Sequence, residues 1–543
     1  MVFARRSTTL LAAIIASCAM VLSLTACTSD NKTVVDGQTT VTSNSAGGVA
    51  VFTPSDGITL NQQTPLNKWA KLVPDLAKAL ADAGFKKGDI DHTTSDSLAK
   101  QSRAIQDFVV DHLSNNTTDD SGIAIAPDNM TLLVAPVVEA DASTRQYGDY
   151  ISQNLSTNDA TDGEATSDGE SSEDDSSKDD SSNTESDSTA SDEQAQAVDR
   201  LVSSLKLAKE SGMHVVLLGN SIEGYKPDAF VKFSDAQTIG KLQAEKMVSK
   251  LKLDKASKDN PKYIEVLLPY TAVDEKGNAN DSTFAQEAFR GIWQVLGSYY
   301  QKGVVESPSG TLDGKSTEND WQAVAYDAAK EGSTAKVLDK RLAKTDGQST
   351  LTRIDGIITM NDYIASEVVK ELDDLGYTGS AADINPQITI SGIVGNITGK
   401  KDLSRDAVPD PIKSPENDNA NDSSSSDDDA DEDTSASDKD RDSQWPLVTG
   451  YGAYVSNIPS IVNGKQWMTG MEDRQTIATD IAQACAKLNK DEALNSMPSI
   501  RNSEVGGVKK IPTISEPLLA VSASNLKSAL IDSGYISLAD AGL

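Results

Sequence analysis

The feature that leaves this chain fewest folds is the alternation of short apolar runs with longer amphipathic stretches. The runs Val49 to Phe52, Thr131 to Val138, His214 to Leu218, Tyr263 to Leu268, Ile354 to Thr359 and Gln387 to Ile393 are continuously apolar rather than alternating. Strands of a parallel sheet buried on both faces read this way. Between them lie Lys68 to Ala83, Leu98 to His112, Gln196 to Ser211, Ile239 to Leu251, Thr283 to Tyr299, Trp321 to Glu331 and Ile364 to Leu375, with apolar residues at helical spacing. Each is long enough to be a crossover helix. Three of them end in a glycine, at Ala83-Gly84, Ser211-Gly212 and Leu375-Gly376, where a left-handed cap suits that residue. The pattern predicts a doubly wound α/β fold.

Two tracts interrupt the pattern and hold most of the net charge of -33. Residues 157–195 and 416–442 are Ser/Asp-rich and nearly free of apolar side chains. Such segments cannot bury enough surface to offset chain entropy, so they are expected to be disordered insertions. Each follows an apolar run and precedes a helix or another run, which puts it on a loop beyond the carboxyl ends of strands. Ligands bind at that edge of an open α/β sheet. An acidic chain without a basic face makes no nucleic-acid partner. The Asp spacing lacks the glycine turn and terminal Glu of a calcium loop, and no metal is expected.

The N-terminus predicts export. Arg5-Arg6 precedes an apolar run from Leu10 to Leu24, which ends in Leu24-Thr25-Ala26-Cys27. That order is a secretion signal, and its last four residues resemble a lipobox, in which the cysteine is acylated after cleavage. The expectation is a signal peptide over 1–26, lipidation at Cys27, a flexible tether over 27–47, and a place at the extracytoplasmic face of the cell membrane. The run is short for a bilayer-spanning helix. Only Cys485 then remains in the body, and a lone thiol forms no intrachain bridge.

No catalytic set is visible. Gly219-Asn220-Ser221-Ile222-Glu223-Gly224 has one residue too many for a nucleophile elbow, and His92, His112 and His214 lack metal-ligand spacing. Neither a phosphate loop nor a dinucleotide fingerprint follows a strand, so no cofactor is expected. Polar and aromatic residues do stand at strand ends. Asn361-Asp362 reads equally as a helix cap and as a ligand contact. Trp69 and Trp321 each open a helix, where an indole serves either packing or stacking on a sugar ring.

Toward the C-terminus, Ile461 to Ala478 (IVNGKQWMTGMEDRQTIA) and Gly507 to Tyr535 (GVKKIPTISEPLLAVSASNLKSALIDSGY) carry specific motifs. They resemble segments of the type I periplasmic sugar-binding proteins, of the multiple-sugar or xylose-binding kind that feeds ABC importers. Lys68-Trp69, Gln101, Asp235 to Gln243 (DAQTIGKLQ), Trp321 and Asn361-Asp362 fall in the same family's order. The resemblance implies two Rossmann-like lobes joined by three hinge strands, 48–232 with 392–470 and 233–391 with 471–543. It implies a carbohydrate ligand, an ABC permease as partner, and ligand contacts from Lys68, Trp69, Asn220, Asp235, Asn280, Asp281, Trp321, Asn361, Asp362 and Glu472.

The departures bear on the ligand. Leu218-Gly219-Asn220 stands where the family has Tyr-Asp-Arg, Gly392-Ile393-Val394-Gly395 where it has Gly-Gln-Asp-Ala, and Glu472 where it has Lys. Charged hydrogen bonds to a buried polar ligand contribute roughly 1.5 to 3 kcal/mol each, so the usual monosaccharide clamp is missing. Two expectations follow. One is a solute-binding lipoprotein of an importer for a sugar or modified sugar; the other is a degenerate relative serving as a surface sensor or protein-interaction module.

Overall fold

The computed structural model describes residues 46–55, 65–115, 125–138, 144–157, 185–273, 280–343, 351–381 and 445–538. All of them belong to one compact unit, Ser45–Leu543. The signal segment, Cys27, most of the tether, the run Gln387 to Ile393 and the tract 416–442 lie outside the described residues. Among the described residues no helix is long and apolar enough to cross a membrane.

The chain builds two α/β lobes and passes between them three times. The first lobe begins with β1 (Gly48–Pro54), α1 (Trp69–Asp82), β2 (Ile90–Ser95), α2 (Leu98–Asn115) and β3 (Met130–Val134). It continues through β4 (Asn154–Leu155), α3 (Glu185–Glu210), β5 (His214–Leu218), β6 (Ser221–Ile222) and β7 (Ala229–Val231). The second lobe holds α4 (Ala236–Leu251), β8 (Lys262–Val266), β9 (Leu268–Pro269), α5 (Thr283–Gln301) and β10 (Val305–Glu306). Next come α6 (Trp321–Val324), β11 (Ala325–Tyr326), α7 (Ser333–Arg341), β12 (Gly356–Ile358) and α8 (Asp362–Asp374). After β13 (Leu447–Thr449), α9 (Ile458–Val462) and β14 (Met468–Met471), the chain returns to the first lobe. There it forms α10 (Arg474–Leu488), β15 (Ile500–Val505) and β16 (Val508–Ile514), and it crosses last to β17 (Leu519–Ser522).

The larger sheet runs β15-β16-β7-β5-β3-β1-β2, parallel except for the β15/β16 hairpin. The smaller runs β10-β8-β12-β13 and is wholly parallel. In each the strand order reverses beside the first strand, between β1 and β3 and between β8 and β12. Such switch points open a crevice at the carboxyl ends of open α/β sheets. This is a bilobed, doubly wound α/β architecture with three crossings, as the sequence resemblance implies.

Helix faces explain the layers. Leu72, Leu76 and Leu80 of α1 and Ile477, Ile481 and Cys485 of α10 pack with Val49, Val51 and Leu133 on one face of the larger sheet. Ile105 and Val109 of α2 and Leu201 and Leu205 of α3 cover the other face. In the second lobe α4 and α5 share a core with Ile264 and Ile358, while α7 and α8 bury Leu338, Ile364 and Val368 against Ile357 and Val448. Full burial leaves the Cys485 thiol shut away from solvent, with its ionisation strongly suppressed.

Three expectations need correction. The stretch Trp321 to Glu331 is helical only to Val324, because Ala325–Tyr326 pairs with Leu268–Pro269 as a short strand. A separate helix, Ser333–Arg341, begins after Gly332 in a left-handed conformation. The last residues of the tract 157–195 are the opening turns of α3, whose backbone is helical from Glu185, whereas residues 158–184 lie outside the described residues. Finally, the C-terminal segments are exchanged between lobes. Leu447–Thr449 pairs with β12 in the second sheet, and the β15/β16 hairpin joins the first through β7. A strand motif sets where the chain extends, but its sheet is chosen by long-range pairing.

Candidate functional site

The three crossings lie close together. Phe233-Ser234-Asp235 links β7 to α4, Glu472-Asp473 links β14 to α10, and Ser515 to Leu518 link β16 to β17. Between the facing strand ends runs the cleft, and the chain places one of its own segments there, residues 144–153, in the excursion after β3.

Both ends of that excursion are held by buried amides. Gln101 of α2 donates to Ala135 O at 2.8 Å and accepts from Val137 N at 2.9 Å. Asn220, after β5, donates to Pro136 O and accepts from Gln153 N, each at 2.9 Å. Past Gln153 the chain pairs β4 with β6. Gln101 and Asn220 are only 0% and 2% exposed, so neither amide has water as an alternative partner.

The first lobe grips the segment through charge and backbone. Helix α1 has no capping side chain of its own at Lys68. Asp149 supplies one from the segment, accepting from Trp69 N at 3.2 Å and from Lys68 Nζ at 2.7 Å. A carboxylate at a helix N-terminus is favoured by the unsatisfied N–H groups and the helix dipole. Asp149 N donates to Asn67 O at 2.8 Å. The approach requires Gly148, whose φ is +98° and whose absent Cβ would lie 2.5 Å from Asn67 O. Tyr150 donates to Lys68 O at 2.6 Å, stacks on Phe233 with centroids 4.6 Å apart, and meets the Trp69 indole edge-on at 5.1 Å.

The second lobe grips it through neutral groups. Tyr147 is 1% exposed, its ring 4.6 Å from Phe284 and 6.2 Å from Tyr451. Burial raises its phenol far above the ordinary value, an effect the Asn361 amide offsets only in part. No hydrogen bond of regular geometry satisfies its hydroxyl among the described residues. Tyr454 donates to Gln146 O at 2.7 Å, and Asn361 Nδ2 donates to Gln146 Oε1 at 3.2 Å. Asn361 Oδ1 meanwhile caps α8 by accepting from Ile364 N at 2.9 Å. One side chain thus serves both readings of the Asn361 motif: its oxygen caps, and its NH2 reaches across the cleft. Met360 and Ala453, which precede Asn361 and Tyr454, hold left-handed φ values of 68° and 51°. Such non-glycine outliers tend to cluster at sites where the backbone is aimed at a task.

Lys68, Trp69, Asn220 and Asn361 therefore converge on one segment. The other expected residues do not. Asp235 caps α4 through Thr238 N at 2.7 Å and pairs with Lys232. Asp281 accepts from Thr283 Oγ1 at 2.7 Å and from Thr283 N at 2.9 Å at the start of α5, bonds that lower its carboxyl below the usual range. Asn280 donates to Thr271 O at 2.9 Å and accepts from Tyr270, whose ring meets Trp321 edge-on at 5.1 Å. Trp321 is part of the second lobe's core, so packing accounts for its burial.

Asp362 and Glu472 are buried and structural. Asp362 accepts from Tyr454 N at 2.9 Å, Thr469 Oγ1 at 2.9 Å and Gln466 Nε2 at 2.7 Å, and burial pushes its carboxyl up to about 6. Glu472 ties two crossings together, accepting from Ser234 N at 2.7 Å and from the Ser234 hydroxyl. Its own backbone N donates to Asn67 Oδ1 at 3.4 Å. Desolvation outweighs these bonds and raises Glu472 to about 7. Among the described residues no cluster of three His, Cys, Asp or Glu could hold a metal ion.

Nothing periodic in the sequence singles out Gln146-Tyr147-Gly148-Asp149-Tyr150. The available signal is local: two tyrosines flank a Gly-Asp pair soon after a strand's carboxyl end and just before an acidic tract.

No family model and no curated protein matches the chain. Among solved structures it is similar to an ABC transporter solute-binding protein from Clostridium phytofermentans with bound β-D-glucose, at 17% identity over 91% of this chain and 99% of that one, TM-score 0.43. It is similar also to a carbohydrate transporter solute-binding protein from Chloroflexus aurantiacus in complex with D-glucose, at 19% identity over 92% and 98%, TM-score 0.41. A third is an arabinose-binding protein from Geobacillus stearothermophilus, at 10% identity over 89% and 98%, TM-score 0.41. At these scores the likenesses carry no argument, and the fold rests on strand order and crossings.

Proposed function

We propose that this chain is a membrane-anchored extracytoplasmic solute-binding protein of an ABC importer, with a sugar or modified sugar as its ligand. The observation that carries the reading is the convergence of Lys68, the α1 N-terminus and Asn361 from opposite lobes on one short segment, Gln146 to Asp149, at the strand ends. Two lobes with three crossings can close on a small polar molecule there, and switch points are where α/β sheets bind ligands. The motifs of Ile461 to Ala478 and Gly507 to Tyr535 support the same reading. Titrating the purified protein with a sugar panel by calorimetry and thermal shift tests it: stabilisation by at least one carbohydrate is expected, and none by any would overturn it. Acylation at Cys27 is checked by incorporation of labelled palmitate, which Cys27→Ser abolishes.

A specific observation favours a second reading. The chain's own segment stands where the solute would, as expected of a degenerate relative acting as a sensor or protein-interaction module. Cross-linking in cells separates the two: contact with a permease supports import, and contact only with another surface protein supports the second reading.

A further inference from the structure

We infer that residues 144–153 are a built-in occupant of the cleft, a tethered competitor that the solute must displace. The inference rests on the solute-binding reading of the cleft. Side chains placed to receive a polar ligand are engaged by the segment one for one. Lys68 Nζ and Trp69 N bind the Asp149 carboxylate, the Asn361 amide binds Gln146, and the Tyr147 ring packs against Phe284 and, further off, Tyr451. The occupant is imperfect on the second lobe's side. The Tyr147 hydroxyl is buried and has no regular hydrogen bond among the described residues, and a buried polar group in that condition is a standing cost. A solute that satisfies its surroundings there gains over the segment, so displacement is thermodynamically accessible.

The segment is also built to remain with one lobe. It is anchored at both ends to the first lobe by Gln101, Asn220 and the β4/β6 pairing. Among the described residues its contacts to the second lobe include two neutral hydrogen bonds and ring packing. Occupancy of this kind lowers apparent solute affinity by the fraction of molecules in which the segment is withdrawn.

The test uses the full acylated chain with spin labels at Lys78→Cys on α1 and Lys340→Cys on α7, both exposed. With Cys485 buried and Cys27 blocked by the proposed acylation, the two labels report alone. Their separation is measured without sugar in the otherwise wild-type protein, in Tyr147→Ala/Asp149→Ala, and in Gly148→Ala, which drives the segment from Asn67 without removing a polar group. Circular dichroism verifies that each variant is folded, and Gly148→Ala decides the matter should the double variant not fold. A short, narrow separation in the wild-type background and a longer, broader one in a folded variant is the expected result. D-glucose, D-xylose, L-arabinose, D-ribose and maltotriose are then titrated, and any that binds should do so at least about tenfold more tightly to the variant. Spreading of the labels with no sugar bound by any form sustains the occupant and overturns the solute reading. An unchanged separation in the folded variants overturns the occupant, whatever binds.

Discussion

The two walls of the cleft hold the same segment by different physics. The first lobe uses an ion pair, a helix N-terminus and a backbone hydrogen bond, all within the stretch Asn67 to Trp69. The second uses an amide, a tyrosine hydroxyl and aromatic rings, with no charge facing the segment among these contacts. Separating a partly buried ion pair strands two charges, whereas parting neutral surfaces exposes only groups that water accepts readily. The segment therefore travels with the first lobe when the cleft opens. The buried carboxylates Asp362 of the second lobe and Glu472 of the hinge bind backbone N–H groups and neighbouring side chains instead of the segment.

The largest effect should come from removing the carboxylate that supports the neutral wall. Asp362→Ala deprives Tyr454 N, Thr469 and Gln466 of their acceptor in a fully buried place. A loss of roughly 3 to 5 kcal/mol in denaturant unfolding is expected, and Asp362→Asn should cost clearly less. An equal loss for both would mean that the two carboxylate oxygens together, rather than the shape of the side chain, carry the effect.

Next comes the hinge. Glu472 holds its proton more tightly folded than unfolded, so its contribution is complete below the ordinary value near 4.5 and is lost as pH rises through about 7. Asp362 acts with the same sign through about 6. Glu472→Gln keeps an acceptor for Ser234 and removes the titration. Its thermal stability relative to wild type should rise between pH 5 and pH 8, by up to roughly 3 kcal/mol. A parallel pH profile in the two proteins would place the titration elsewhere.

On the charged wall the change is smaller. Lys68→Met leaves Asp149 with the helix N-terminus alone and should cost roughly 1.5 kcal/mol, diminishing with added salt because the pair is partly exposed. Asn361→Ala on the neutral wall should show no such salt dependence. If both variants respond alike to salt, the contrast between the walls fails.

How much of this was legible in the sequence follows from what each residue is doing. Helices α1, α5 and α8 were readable because one apolar face packs into a core, as Leu72, Leu76 and Leu80 show. Strand β2 was not, because it is an edge strand with four consecutive exposed residues, Asp91 to Thr94, and so leaves no apolar run. Exchange of the C-terminal segments between lobes depends on long-range pairing, Gly356 with Leu447 and Phe230 with Thr513, which no local motif encodes. At the site, Trp69 and Asn361 stood out because they sit at the boundary of a readable strand or helix. Gln146 to Tyr150 did not, because a segment held by both lobes at once needs neither periodicity nor a cap of its own.

The smallest effect separates the two duties of Asn361. Serine caps a helix about as well as asparagine but cannot reach Gln146, so Asn361→Ser should change stability by about 0.5 kcal/mol or less while loosening the neutral wall. Asn361→Ala loses both duties and should cost about 1 kcal/mol more. Their difference measures the cap, and what they share in the spread between Lys78→Cys and Lys340→Cys labels measures the reach across the cleft. Labels that stay together in both variants would leave Tyr454 and the rings to hold the second lobe, making the Asn361 amide a cap that only happens to point toward the segment.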